Sequence, residues 1–84
     1  MAVRILYFAS LREALGQAQE ELTLPGQISN VGELREHLCA RGGDWQALAA
    51  TKNLRMAVNQ KMADGAAPLR DGDEIAFFPP VTGG

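Results

Sequence analysis

His37 and Cys39 are the sole histidine and the sole cysteine of the 84-residue chain, and they lie two residues apart. An imidazole exchanges a proton near neutral pH, and a thiolate is a strong nucleophile. Their spacing works against cooperation, because residues two apart on a helix do not face each other. His37 falls on a polar face and reads as a solvated side chain. Cys39 falls at the edge of an apolar stripe and reads as a small buried hydrophobe. No basic cluster beside it favours the thiolate. Asp71, Asp73 and Glu74 form the densest acidic group. Asp-Gly-Asp ahead of a strand is a turn signal, and no second carboxylate partner is identifiable for acid–base work. One histidine and one cysteine do not make a zinc site, so no metal is expected. There is no P-loop, no Gly-x-Gly-x-x-Gly and no Gly-x-Ser-x-Gly elbow.

What remains is the closing segment, Phe77-Phe78-Pro79-Pro80-Val81-Thr82-Gly83-Gly84. A frayed end is the plain alternative. Against it, the segment carries no charged side chain, and Pro79-Pro80 stiffens it into an extended arm. Pro79 to Gly84 spans about 20 Å when extended. Val81 and Thr82 are slim, and Gly83 and Gly84 have no Cβ, so a narrow tunnel can accept them. The group carried at the tip is the α-carboxylate of Gly84. A carboxylate is a poor electrophile until it is activated. Adenylation makes it a mixed anhydride, and a sulfur donor that displaces AMP leaves a thiocarboxylate. Splitting one hard step in two is the logic of covalent catalysis. The sequence supplies no adenylating site, so the activating enzyme must be another protein.

The remaining residues must position this arm. Val3 to Ala9 reads as a central strand. Ser10 and Glu13 fit a capping box for a short helix that Gly16 ends. Glu21 to Leu24 alternates as a half-buried strand. Asn30, with Glu33 three residues on, opens the main helix, whose buried stripe is Val31, Leu34 and Leu38. Gly42-Gly43 closes it, and Asp44 is placed to cap a further turn holding Trp45 and Leu48. Leu54 to Val58 and Lys61 to Ala63 read as strands joined at Asn59-Gln60. Asp71-Gly72-Asp73 leads into a last strand, Glu74 to Phe78, and Pro79-Pro80 releases the chain from the sheet. The fold class is α+β: one sheet with one main helix across it. The first and last strands are the most apolar and belong side by side in the middle. The expected organisation is a domain over 1–78 and a tail over 79–84.

Several stretches resemble the small subunit of molybdopterin synthase: Ile5-Leu6-Tyr7-Phe8-Ala9, Leu11-Arg12-Glu13, Ala57-Val58-Asn59-Gln60, Pro68-Leu69-x-Asp71-Gly72-Asp73-Glu74 and Phe77-Phe78-Pro79-Pro80-Val81-x-Gly83-Gly84. The likeness runs nearly end to end and is weakest in the main helix and from Gly42 to Asn53. It implies a ubiquitin-like β-grasp fold. It implies that an E1-like enzyme uses ATP to adenylate Gly84, and that a cysteine desulfurase or rhodanese-type donor supplies sulfur. The tail, Pro79 to Gly83 with the Gly84 thiocarboxylate, would then enter the large subunit and pass sulfur to precursor Z. The resemblance places the catalytic side chains on the large subunit, no bound cofactor or metal on this chain, and the partner contact at Phe8, Met62 and Phe78. Met62 stands where an aliphatic residue is expected, a swap of similar volume.

Three other readings share the tail: a carrier for another pathway such as thiamin thiazole synthesis, a ubiquitin-like modifier, and a plain interaction domain. Ubiquitin-type tails are basic, whereas Val81-Thr82-Gly83-Gly84 is neutral. Composition narrows the field. The net charge of -2 gives no footprint for nucleic acid. No stretch matches a membrane span, and the amino-terminal strand is unlike a signal peptide, so a cytoplasmic protein is expected. With sulfur on Gly84, Cys39→Ser is expected to leave sulfur carriage largely intact. Mass spectrometry that located a persulfide on Cys39 would overturn that assignment.

Overall fold

The computed structural model describes residues 1–80. Strand β1, Ala2–Tyr7, alternates exposed and buried positions, which directs Val3, Ile5 and Tyr7 inward. It pairs antiparallel with β2, Gln19–Thr23, and parallel with β5, Glu74–Phe78. On its other side β5 pairs antiparallel with β3, Arg55–Val58, which forms a hairpin with β4, Lys61–Ala63. The mixed sheet therefore runs β2-β1-β5-β3-β4, with the two most apolar strands adjacent as expected. The β3–β4 hairpin closes through Asn59 and Gln60, both at positive φ, 50° and 69°. That is the left-handed pair a two-residue turn requires.

Helix α2, Val31–Cys39, crosses one face of the sheet and buries Val31, Leu34 and Leu38. Asn30 caps it, its Oδ1 accepting from the Glu33 N–H at 2.8 Å. The Glu33 carboxylate returns not to Asn30 but to the N–H and hydroxyl of Ser29, each at 2.9 Å. Those bonds hold the Glu33 carboxyl below the usual carboxylate range. The start of α2 is also tied to the loop ahead of β5, with Gly32 N–H donating to the Gly65 carbonyl at 2.9 Å. A Cβ on Gly32 would sit 3.1 Å from that oxygen, so a larger residue there would have to push the two backbones apart by a few tenths of an ångström.

Several boundaries differ from the sequence expectation, among them the first strand, which spans Ala2–Tyr7 rather than running on to Ala9. The short helix α1, Ala9–Leu15, starts two residues early with Phe8 at its N-cap, and Ser10 lies inside it. There is no capping box, because the strand ladder holds Phe8 and Leu11 must reach the core. The chain turns there at Ala9, with φ 53°. Strand β2 begins at Gln19 rather than Glu21, because the ladder to β1 recruits Gln19 and Glu20 whatever their polarity. Helix α2 ends at Cys39 with Ala40 as its C-cap, before Gly42-Gly43. Asp44 sits in the first turn of a 3₁₀ segment, Gly43–Gln46, that Gly42 precedes and that leads into helix α3, Ala47–Ala50.

Glu20 faces the core side of its strand, where a carboxylate needs partners. The Tyr7 hydroxyl donates to its Oε1 at 2.8 Å, and Arg41 pairs with the same oxygen at 2.8 Å. Arg41 lies 4.4 Å over the Trp45 ring, and Trp45 meets Tyr7 edge-on at 5.6 Å. The contacts close a ring that ties β1, β2 and the 3₁₀ segment together. Burial, then the hydrogen bond to Glu20 and its charge, push the Tyr7 hydroxyl well above the usual tyrosine range. A group whose folded pKa is raised contributes stability below its unfolded value, near pH 10, and loses it as pH climbs further. Denaturation midpoints at about pH 8 and about pH 11 should therefore fall more steeply in the native chain than in Tyr7→Phe. Equal slopes would remove Tyr7 from the alkaline transition.

Candidate functional site

The site is the end of β5 and the sheet face around it. Phe77 and Phe78 are adjacent and identical in type, yet they face opposite ways. Phe77 is fully buried and stacks on Tyr7 with ring centroids 6.4 Å apart. Phe78 is half-buried on the outer face, away from the helices. The Phe8 N–H continues the ladder past β1 by donating to the Phe77 carbonyl at 3.2 Å. Phe8 thereby stands beside Phe78 at the edge where the chain leaves the sheet. Pro79 and Pro80 follow, outside any strand and half-buried.

Register builds the rest of this face. Leu6 pairs with Ala76, Ala76 with Ala57, and Ala57 with Met62. The four form one row across β1, β5, β3 and β4, about 14 Å from end to end at the usual strand spacing. Ala57 is only 7% exposed although it lies outside the core cluster, so larger side chains flank it. The row is a shallow apolar dish with alanines as its floor. Phe8, 45% exposed, and Met62, 62% exposed, are the large apolar residues left most open among those described. The structure thus brings Phe8, Met62 and Phe78 onto one face beside the tail exit. Contiguous exposed apolar surface of this kind marks interaction sites. Val81, Thr82, Gly83 and Gly84 lie outside the described residues.

The other candidates disperse. Asp71 accepts from the Ala2 N–H at 2.7 Å, and Asp73 accepts from the Arg70 N–H at 2.8 Å and the Asn59 amide at 2.9 Å. These carboxylates shape the turn, with Gly72 at φ 87° between them. His37 and Cys39 are both half-buried on α2, far in the topology from the exit of β5. Sequence reasoning missed the alanine floor. Its signal was period two: Ala57 and Ala76 occupy the non-core positions of β3 and β5. It also missed the Glu20 ring, whose members lie far apart along the chain and leave no local pattern.

Since Phe8 and Met62 are open, replacing either with serine should barely move the melting temperature. Phe77→Ala should cost about 3–5 kcal/mol, as for a large core truncation. Denaturant titration of the three variants checks this. A Phe8 or Met62 variant as unstable as Phe77→Ala would return that side chain to the core.

The comparisons with known proteins bear on the family and the fold. The sequence profile of the ThiS family matches residues 5–84. The chain is similar to the "Molybdopterin synthase sulfur carrier subunit" of Escherichia coli (strain K12), 40% identical over 82 residues that cover 98% of this chain and 99% of that protein. Among solved structures it is similar to SAMP1 from Haloferax volcanii, with a TM-score of 0.79, 25% identity and full coverage of both chains. It is also similar to a chain in the complex of subunits 1 and 2 of the molybdopterin-converting factor from Helicobacter pylori 26695, with a TM-score of 0.69, 25% identity and full coverage of both. The α+β architecture is therefore a ubiquitin-like β-grasp, and by profile and by end-to-end likeness this chain belongs to the ThiS family.

Proposed function

We propose that the chain is the sulfur-carrying small subunit of a molybdopterin synthase, acting through Gly84. The observation that carries the reading is the 40% identity, end to end, with the Escherichia coli sulfur carrier subunit. The likeness to a chain of the two-subunit Helicobacter pylori complex supports a large subunit as the partner. The site geometry is consistent with it. A tail that leaves from the sheet centre beside an apolar dish can be threaded into a partner while the dish seats against that partner.

The chemistry needs an E1-like enzyme that holds ATP. A carboxylate oxygen of Gly84 attacks the α-phosphorus and pyrophosphate leaves, which gives an acyl adenylate. The outer persulfide sulfur of a cysteine desulfurase or rhodanese-type donor displaces AMP to give an acyl disulfide. A second thiol cleaves its S–S bond, leaving a disulfide between the donor cysteine and that thiol, and a thiocarboxylate on the terminus. Its sulfur is then the nucleophile delivered to precursor Z inside the large subunit, which supplies the catalytic side chains. This chain contributes the carrier terminus, the slim approach through Pro79, Pro80, Val81, Thr82 and Gly83, and the contact at Phe8, Met62 and Phe78. The modifier reading retains one observation in its favour, the likeness to SAMP1. Both readings use the same activated terminus and differ in the acceptor.

Appending one alanine after Gly84 leaves every native side chain in place and moves the carboxylate about 3.5 Å. It also puts a Cβ at the tip, where a narrow tunnel expects none. The extended chain should bind the large subunit normally yet lose about a hundredfold in single-turnover sulfur transfer, the scale of cost for misplaced reactants. Intact mass should show little adenylate or thiocarboxylate. Turnover equal to that of the native chain would overturn the assignment of Gly84.

A further inference from the structure

Charges on the outer face are distributed unevenly. At the end away from the tail, Arg4 lies in register with Glu21 on one side and Glu74 on the other, and it pairs with Glu21 at 3.1 Å. At the tail end Arg55 sits in register with Phe78. Arg55 is exposed and makes no ion pair or side-chain hydrogen bond among the described residues. The other arginines are committed or elsewhere. Arg41 holds Glu20, and Arg35 donates from Nε to the Leu48 carbonyl at 2.9 Å. Arg12 lies on α1, and Arg70 lies in the turn ahead of β5.

The surroundings of Arg55 single it out further. With Met62 and Pro80 it lines an open depression of about 390 Å³, on the path by which the chain leaves β5. Asp64 lines the same depression, but its Oδ1 accepts from the Ala66 N–H at 2.9 Å and it forms no salt bridge with Arg55. The result is a guanidinium with no ion-pair partner among the described residues, at the rim of an apolar dish, on a chain whose net charge is -2. A guanidinium presents a planar fork of donors that matches a carboxylate in two parallel hydrogen bonds. At the rim of an apolar contact, a charge of this kind steers encounter and selects the partner more than it adds raw affinity.

We infer that Arg55 is a specificity-determining residue that docks an aspartate or glutamate side chain on the protein surface receiving the dish and the tail. The inference rests on the reading of that face as the contact with the large subunit. It adds the chemistry the partner must present: apolar side chains over Ala57 and Ala76, and an acidic group beside the point of tail entry. The requirement also excludes partners, because a surface with a basic residue at that place would be repelled.

The test is stopped-flow association of the full chain with purified molybdopterin synthase large subunit, comparing native, Arg55→Gln, Arg55→Glu and Phe78→Ala at low and high salt. Arg55→Glu should associate about tenfold more slowly at low salt, with Arg55→Gln between it and the native chain. The difference should vanish near 1 M salt, where the Debye length is about 3 Å. Phe78→Ala should act mainly on dissociation. Arg55 is exposed, so melting temperatures should be unchanged, which separates docking from folding. If Arg55→Glu associates like the native chain while Phe78→Ala weakens the complex, the inference falls and the interface stands. If neither substitution changes binding, the reading of the face as the partner contact falls with it.

Discussion

The parallel pairing of β1 with β5 is the constraint on which the rest of the molecule depends. It sets Ile5 against Ile75 and Tyr7 against Phe77, and all four side chains are buried. Because side chains alternate along a strand, the same register turns Leu6, Ala76 and Phe78 outward. A slip of one residue would exchange Phe77 for Phe78 and put the whole set on the wrong face. Burying a phenylalanine stabilises by roughly 1.5–3 kcal/mol relative to leaving it exposed, so the core holds the register firmly. The outer face inherits its order from that choice. Neither the apolar dish nor the exit of the tail has an independent local cause.

Placing β5 in the interior of the sheet has a mechanical consequence. The strand that launches the tail is paired on both sides, so its end is anchored by two ladders. Proline then ends donation to the sheet without a helix or turn to draw the chain aside. The Glu20 ring braces the same end from below through Tyr7, which stacks on Phe77. On the proposed reading, this anchored strand end supplies position and the terminus supplies chemistry.

Local pattern made the elements legible. The capping pair at Asn30 and Glu33, the left-handed turn at Asn59-Gln60 and the Asp71-Gly72-Asp73 turn are short-range devices, readable because their residues are neighbours. Glu74 to Phe78 was legible as a strand for the same reason. The start of β2 and the cap of α1 were not, because a ladder to another strand decided both. Gln19 and Glu20 look like loop residues until β1 pairs with them. Ser10 looks like a cap until Phe8 is held by the Phe77 carbonyl.

The sequence by itself determined the α+β class, the β5 span and the character of the closing segment. Each follows from residue types at fixed local spacing: alternation, paired prolines and glycines without Cβ. Only the tertiary structure decided which face each aromatic residue takes, that two alanines floor a dish between Leu6 and Met62, and that Arg55 stands in register with Phe78. Those are properties of register between strands far apart in the chain. Register is settled by how the whole core packs, and no single segment encodes it.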